Sequence, residues 1–570
     1  MHANVAIIGG GPAGSTLGSL LKKYAPDLNV LILEREQFPR EHIGESQLPP
    51  VSAVLDEMGC WDKVEAANFP IKIGGTFLWG KSSRLWDIQF IPPSEYKDQQ
   101  RPAKFEGFRR LVAFQVERAI YDEILLRHAS SLGCDVQERV RVVKVERNGD
   151  RITGLILDSG DTVHADYYVD CSGSAAIIRR TFDIGIDSPT QLRNVAIWSY
   201  WENPEWAREV GIGGTRIRII SFGFGWFWFI PLGRTRTSVG LVCPSHHLKS
   251  TGKPPEELYE SYLPVDPTLQ TLLTGAQRVS GIQTARDWSF VADRTVGENW
   301  FLVGDSAGFA DPILSAGLTL AQVAASELAC TIVELYRRQH PAEWLKRYYD
   351  SNLRRRVRQH IRFADFFYAA NGQFTELREH CAQIARESGL TLTPDEAWDW
   401  LSTGGFTNET IGRPGIAGFD LDSARQINDM LCGGSSRWAA RDYNVFHLKL
   451  DGAVLDYVPA YNQGRVTRTP CYFRGEHRLP LTGVYGMLTQ VLGRASAIED
   501  ILRDLIGALK SRYPVDQTKL FIRQAMQALE VLTREGWVEA SVDPDRPRLM
   551  LTTPTDTIYF QDEPAVSAVS

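Results

Sequence analysis

Apolar positions begin as a short unbroken run at residues 5–8, stop at Gly9-Gly10-Gly11-Pro12-Ala13-Gly14, and resume at helical spacing over 15–24. A second unbroken run, 29–33, ends at Glu34. Short continuous runs flanking a helical period predict a βαβ unit whose strands are buried on both faces. Residues 45–67 read as helical, and 74–90 as strand (G-G-T-F-L-W-G, then R-L-W-D-I-Q-F). A helix is predicted over 118–132, alternating strands over 135–170, and long aromatic-rich strands over 191–243. An apolar strand ends at Gly304-Asp305, and a helix follows over about 316–338. The interleaving predicts an α/β chain: a doubly wound domain with a mostly antiparallel sheet domain inserted.

Beyond about 380 the pattern weakens, and 381–480 reads as an irregular or helical linker. Residues 484–492, 496–510 and 516–534 are then three helices, followed by strand pattern from Gly536, a D-P-D turn and a second strand from Pro547. Three helices and a hairpin suggest a winged helix. Its acidic and basic residues balance, which favours a structural or docking module over nucleic-acid binding. Residues 556–570 read as a tail.

Composition narrows the classes. The chain has 570 residues with 43% hydrophobic and 23% charged, room for three or four domain-sized units and too apolar for a disordered chain. Net charge is −7, so no basic surplus points to nucleic acid or an anionic membrane. No apolar run of membrane-spanning length and no leader pattern stands out. The eight cysteines form no C-x-x-C and no metal-ligand spacing with histidine. They read as reduced thiols in a cytoplasmic protein without a bound metal.

The glycine motif follows a strand and opens a helix, with Glu34 placed 20 residues beyond Gly14. That context points to a dinucleotide. Gly9 permits the turn, Gly11 admits the pyrophosphate, and Gly14 allows close helix–strand packing. Pro12 and Ala13 sit at the helix N-terminus, which attracts phosphate. Glu34, with Arg35 beside it, faces the adenosine ribose. The late Gly304-Asp305 resembles the segment that holds the ribityl chain in glutathione-reductase-type flavoproteins, a resemblance that implies a Rossmann-like FAD-binding domain of that type and favours FAD over NAD. Val169-Asp170-Cys171-Ser172-Gly173 fits an intermediate flavoprotein segment, and Arg118 a basic residue on FAD. A second G-x-G-x-x-G is missing, so no built-in NAD(P)H domain is expected.

Further segments make residues 1–380 resemble the flavin-dependent halogenases. Gly225-Trp226-Phe227-Trp228-Phe229-Ile230-Pro231 matches that family's W-x-W-x-I-P. Spacing i, i+2 on a strand sets both indoles on one face. Phe309-Ala-Asp-Pro312-Ile-Leu-Ser315-Ala316-Gly317 matches F-x-x-P-x-x-S-x-G, with Leu318 next in the helix. Phe69-Pro-Ile-Lys72-Ile-Gly-Gly supplies the family's lysine, and Phe38-Pro-Arg40-Glu-His-Ile-Gly44-Glu45-Ser46 matches F-P-R-x-x-x-G-E-S. The resemblance implies FAD reduced by an external NADH-dependent flavin reductase, and chloride or bromide held at Ser315, Ala316 and Gly317. It also implies Trp226 and Trp228 walling the flavin, and Glu45 and Ser46 near it. Lys72 would aim hypohalous acid at an electron-rich carbon, with Pro312, Arg40 and Leu318 around the flavin.

The tryptophan-specific subgroup carries glutamate where Leu314 stands, so the nearer resemblance is to phenol, pyrrole and acyl halogenases, including that of chloramphenicol biosynthesis. There an aspartate before Trp-Ser is bonded to the flavin 8α carbon, and Arg286-Asp287-Trp288-Ser289 matches that stretch. The implied substrate is a small molecule, free or on an acyl carrier protein. Within 1–380, segments 1–80, 100–175 and 280–340 would contact FAD, and 76–100 with 185–280 form the substrate sheet. Residues 481–555 form the C-terminal module. A single-component flavin hydroxylase and a geranylgeranyl-reductase-like flavoprotein share the glycines and Gly304-Asp305. A binding or regulatory role through the C-terminal module is the non-enzyme alternative.

Overall fold

The computed structural model describes residues 1–371 (apart from 81–84, 92–95, 98, 191, 203–213, 265 and 288), 407–408, 413–414, 439–548 (apart from 476) and 558–560. The chain divides into two units: Met1–Ala364 with Tyr461–Arg465 and Tyr559–Ser570, and Asp365–Ala460 with Val466–Ile558.

The first unit contains the predicted βαβ. His2–Ile8 pairs in parallel with Val30–Glu34 on one side and with Thr162–Asp170 on the other. Trp300–Leu302 extends the parallel set beyond Thr162–Asp170. Val5, Ala6 and Ile7 are fully buried, the double burial that their unbroken apolar run requires. Helices Pro12–Tyr24 and Gly317–Arg337 pack on each other beside this sheet. The register brings Ile8, Asp170 and Leu302 level. The Gly9–Gly14 turn, Ser172 and Gly304-Asp305 therefore emerge along one edge. Ligands bind outside the carboxyl ends of parallel strands in such sheets.

The inserted sheet has ten strands, mostly antiparallel, with Ile71–Leu78 running parallel to Gly214–Phe222. Its two faces differ as strand alternation demands. Val195, Ile197, Phe227, Phe229, Val239 and Leu241 point to one face, where they pack with Leu258 and Tyr259 of helix Pro255–Tyr262 and Leu269 and Leu272 of helix Pro267–Leu272. The alternate positions, Trp198, Trp226, Trp228, Ser238 and Thr215, share the other face.

The second unit contains helices Gly483–Leu492, Ile498–Lys510 and Val515–Arg534, as the spacing predicts. Three expectations need correction. Val445–Leu448, Val454–Asn462, Arg465–Arg474 and His477–Pro480 are strands within the segment read as a linker. Their alternation is interrupted by charged and turn residues, which hid the period. Val538–Ser541 pairs with Val445–Leu448 from far upstream, and the expected partner strand falls mainly outside the described residues. Ile558–Phe560, read as tail, adds a strand beside Trp86–Gln89. Most of 381–438 also falls outside the described residues.

Gly317–Arg337 is, among the described residues, the one helix long and apolar enough to cross a membrane, and 83% of its apolar window is buried within the protein. Its hydrophobicity serves the core.

Candidate active site

A cavity of about 980 Å³ opens at the carboxyl edge of the parallel strands. Gly9, at φ +105°, begins the turn, and a Cβ there would lie 2.3 Å from the Cys171 carbonyl oxygen. At Gly14 a Cβ would lie 2.0 Å from the Gly9 oxygen. The chain therefore doubles back at a distance only glycine tolerates. Helix Pro12–Tyr24 starts with no side-chain cap, so its first amides face the cavity unspent. Glu34 is locked at the strand end by the Gly10 and Glu36 amides at 2.7 and 2.9 Å. Asp305 follows Gly304, which adopts φ +67°. Burial pushes the Asp305 carboxyl up to about 6, against the pull of Arg118. A partly buried carboxyl beside a cavity needs hydroxyl donors, and the ribityl chain of FAD offers them. Uncapped amides, the glycine cradle and these two carboxyls fit FAD.

Arg118 organises the opposite wall. Its guanidinium makes a double hydrogen bond to Asp122 at 2.7 and 2.8 Å and donates to the Ile43 and Gly44 carbonyls. Arg40 lies 3.4 Å from the same Asp122. The two cations thus fix the loop before Glu45.

The inserted sheet closes the cavity with indoles. Trp79, Trp226, Trp228 and Trp198 form a ladder with successive centroids 6.5, 6.1 and 6.4 Å apart. Trp228 donates from Nε1 to Ser238 Oγ at 3.1 Å. Gly240 makes room for it: a Cβ there would lie 2.1 Å from the indole.

Glu45 sits beside this ladder, 2% exposed. Burial pushes its carboxyl up to about 7, while the Ser238 and Tyr200 hydroxyls, Arg118 and Arg236 pull it down. Because the folded value exceeds the unfolded one, stability is fully present below about 4.5 and is lost as pH rises through about 7. Glu45→Gln mimics the protonated form. Its stability relative to wild type is expected to rise by roughly 3 kcal/mol between those limits, read by denaturant unfolding at pH 4.5 and 8. A difference independent of pH would contradict the shift.

Lys72 is 2% exposed and donates to the Gln47 carbonyl at 3.0 Å. Phe90 covers it at 5.6 Å. Burial alone pushes its ammonium down to about 7. The strand bulges next to it: Thr215 faces Lys72, whereas Arg216 faces Gly74, which leaves Ile73 as the extra residue. A Cβ on Gly74 would lie 2.0 Å from the Ile88 carbonyl oxygen, so the lysine–x–glycine spacing follows from the bend.

Comparison with known proteins bears on this geometry. A family model described as FAD binding domain matches residues 2–364. The tryptophan 2-halogenase of Chondromyces crocatus is 32% identical over 58% of this chain, a region spanning 60% of that protein. The 1H-pyrrole-2-carbonyl-(peptidyl-carrier protein) chlorinase of Pseudomonas fluorescens is 30% identical over 65% of this chain and 85% of its own length. The chain belongs to the flavin-dependent halogenases. Among solved structures, the flavin-dependent halogenase CmlS is 25% identical with a TM-score of 0.72, over 98% of this chain and 99% of that one. The similarity to CmlS therefore extends through the halogenase's C-terminal unit. The chondrochloren halogenase CndH is 29% identical, covers 74% of this chain and 99% of its own, and has a TM-score of 0.58.

In this halogenase Gly9, Gly11, Pro12, Ala13, Glu34 and Arg35 line the cavity, as do Arg40, Arg118, Trp228, Gly304 and Asp305. Pro312, Gly317 and Leu318 line it from the helix side. Gly14 packs behind the turn, and Lys72, Glu45, Ser46, Trp226, Ser315 and Ala316 are not among the lining residues. Ser315 adopts φ +56° and turns the chain into helix Gly317–Arg337, whose N-terminus has no side-chain cap. Asp287 pairs by backbone with Asn194, next to cavity-lining Ala285 and Arg286; its side chain lies outside the described residues. Sequence reasoning missed Trp198, Ser238 and Gly240. Only the register of three strands reveals that they face Trp228.

Proposed function

We propose that this halogenase uses FADH2 and O2 to oxidise chloride or bromide to hypohalous acid, which passes inside the protein to Lys72 and halogenates a phenol, pyrrole or activated acyl carbon. What carries the reading is the buried Lys72, which has no carboxylate partner among the described residues and does not line the cavity. When bound, FAD reduced by a partner NADH-dependent flavin reductase supplies the oxidising equivalent from O2. Overall, FADH2, O2, halide and a proton give FAD, HOX and water; HOX and an aromatic C–H then give C–X and water. The amides of Ala316 and Gly317, at the uncapped start of the helix after Ser315, attract halide through the helix dipole. Trp226 and Trp228 keep the organic substrate from the flavin, and Lys72 donates to HOX and polarises it. The Pseudomonas relative supports a carrier-bound acyl substrate, and Leu314 argues against tryptophan. The described cysteines are all free and buried, which suits a reducing cytoplasm.

Mass spectrometry of reactions with NADH, a flavin reductase, chloride or bromide, and free and carrier-bound phenols and pyrroles tests the reading. Halide-dependent mass gain is expected. Hydroxylated product independent of halide would assign a hydroxylase instead.

Gly317→Val tests the halide position. A Cβ there meets open space, so the fold tolerates the change while the side chain occupies the cavity rim. Halogenated product is expected to fall about a hundredfold, with hydrogen peroxide released even at high chloride. Unchanged halide dependence would move the site elsewhere.

Asp287 is proposed as a covalent tether to the flavin 8α carbon, supported by the R-D-W-S match and by the strand's course along the cavity. Acid-precipitated wild type is expected to stay yellow and to exceed Asp287→Ala by one FAD in mass. Complete loss of flavin on unfolding would sink the tether.

A further inference from the structure

Between Gly44, which lines the flavin cavity, and Lys72 lies a small polar patch that no catalytic step so far uses. Ser46 forms an antiparallel bridge with Gln115. The Gln115 amide donates to the Pro70 carbonyl, and Ile71 and Lys72 pair with Phe114 and Ala113. Lys72 in turn faces Thr215 on the next strand. Cross-strand partners and positions two apart share a face. Ser46, Gln115, Lys72 and Thr215 therefore stand on one face, with Gln115 diagonal to the lysine.

Two of these side chains hold buried oxygen atoms with no partner. Gln115 is fully buried and Ser46 is 7% exposed, yet Gln115 Oε1 and Ser46 Oγ make no hydrogen bond among the described residues. The orientation of the glutamine is fixed. Its Nε2 donates to Thr215 Oγ1 at 2.9 Å, and Thr215 Oγ1 donates to the Ile71 carbonyl at 3.0 Å. That chain commits the NH2 to threonine and leaves Oε1 as the acceptor facing the patch. A buried, unmet acceptor beside an unmet hydroxyl costs free energy unless a small polar molecule joins them.

We propose that Gln115 and Ser46 form a waystation for hypohalous acid on its way to Lys72. The molecule has one O–H donor and one oxygen acceptor. Its O–H donates to Gln115 Oε1, and its oxygen accepts from the Ser46 hydroxyl. The halogen keeps its oxidation state there; no bond is made or broken until Lys72 is reached. Both groups are neutral and carry no amine, so neither is halogenated by the acid at that point. The proposal rests on the halogenase reading above.

The test replaces Gln115 by Met, which keeps the length of the side chain and removes the acceptor, and Ser46 by Ala. The readout is the partition of reduced flavin among halogenated product, hypohalous acid captured by a scavenger in solution, and hydrogen peroxide. Gln115→Met is expected to lower the product fraction about tenfold, with scavenged hypohalous acid making up the balance, and Ser46→Thr to restore what Ser46→Ala loses. A second readout needs no turnover: a crystal of wild type should hold an ordered water within hydrogen-bond reach of both Oε1 and Oγ, and Gln115→Met should lose it. A product fraction unchanged in Gln115→Met, or wild-type crystals with no solvent at the pair, would overturn the waystation. Loss of product in Lys72→Ala alongside a normal partition in Gln115→Met would reject it while leaving the halogenase reading standing. If wild type gives no halide-dependent product, the parent reading itself fails.

Discussion

Replacing Lys72 by alanine is expected to lower halogenated product by about a hundredfold or more, the scale of removing a positioned proton donor. Hypohalous acid should then appear in solution, because the proposed mechanism forms it in the flavin cavity, which Lys72 does not line. FAD affinity should hold, since Lys72 does not line the flavin cavity. The ammonium is buried against Phe90 with the Gln47 carbonyl as its acceptor. The alanine variant therefore loses an isolated buried cation and leaves no carboxylate stranded, so the fold should survive. Product quantified by mass spectrometry, together with flavin titration of the same protein, checks both parts. Normal product yield would remove Lys72 from the reaction; lost flavin binding would make it structural.

Gly14→Ala is expected to weaken FAD binding by about a hundredfold, close to 3 kcal/mol and at the upper end of overpacking costs. The added methyl would lie 2.0 Å from the Gly9 carbonyl oxygen. Backbone must yield there. Either the turn opens or helix Pro12–Tyr24 lifts from the strand, and both move the amides that face the phosphates. Gly223→Ala is the control, since a Cβ at that position meets nothing within 4 Å. It should bind FAD as wild type does. Equal affinity in the two variants, measured by quenching of flavin fluorescence, would mean that the turn does not hold the cofactor.

The sequence by itself determined the βαβ unit, the helices at 118 and 317 and the flavin segments, because each is encoded locally. A buried parallel strand must be continuously apolar, and a turn where an added Cβ would meet a carbonyl oxygen at about 2 Å must be glycine. The three helices after residue 483 were legible for the same reason. The halogenase segments were legible as strings, W-x-W-x-I-P and K-x-G-G, each of which needs only its own spacing.

Tertiary structure alone decided what those strings face. Trp198 comes to face Trp228 only through the pairing of Asn194–Glu202 with Arg236–Pro244, while Ser238 and Gly240 reach Trp228 across the adjoining hairpin, and no local period records which strand lies next to which. The values near 7 for Lys72 and Glu45 come from burial, which depends on everything packed around them. The strands at 445–480 were missed because their partners and half-exposed faces leave the alternation weak. Ser46 and Gln115 lie 69 residues apart in the chain and meet as partners in one bridge. Their unmet oxygens exist only because the fold removes both from water, and desolvation is a property of the assembled protein that no stretch of sequence carries alone.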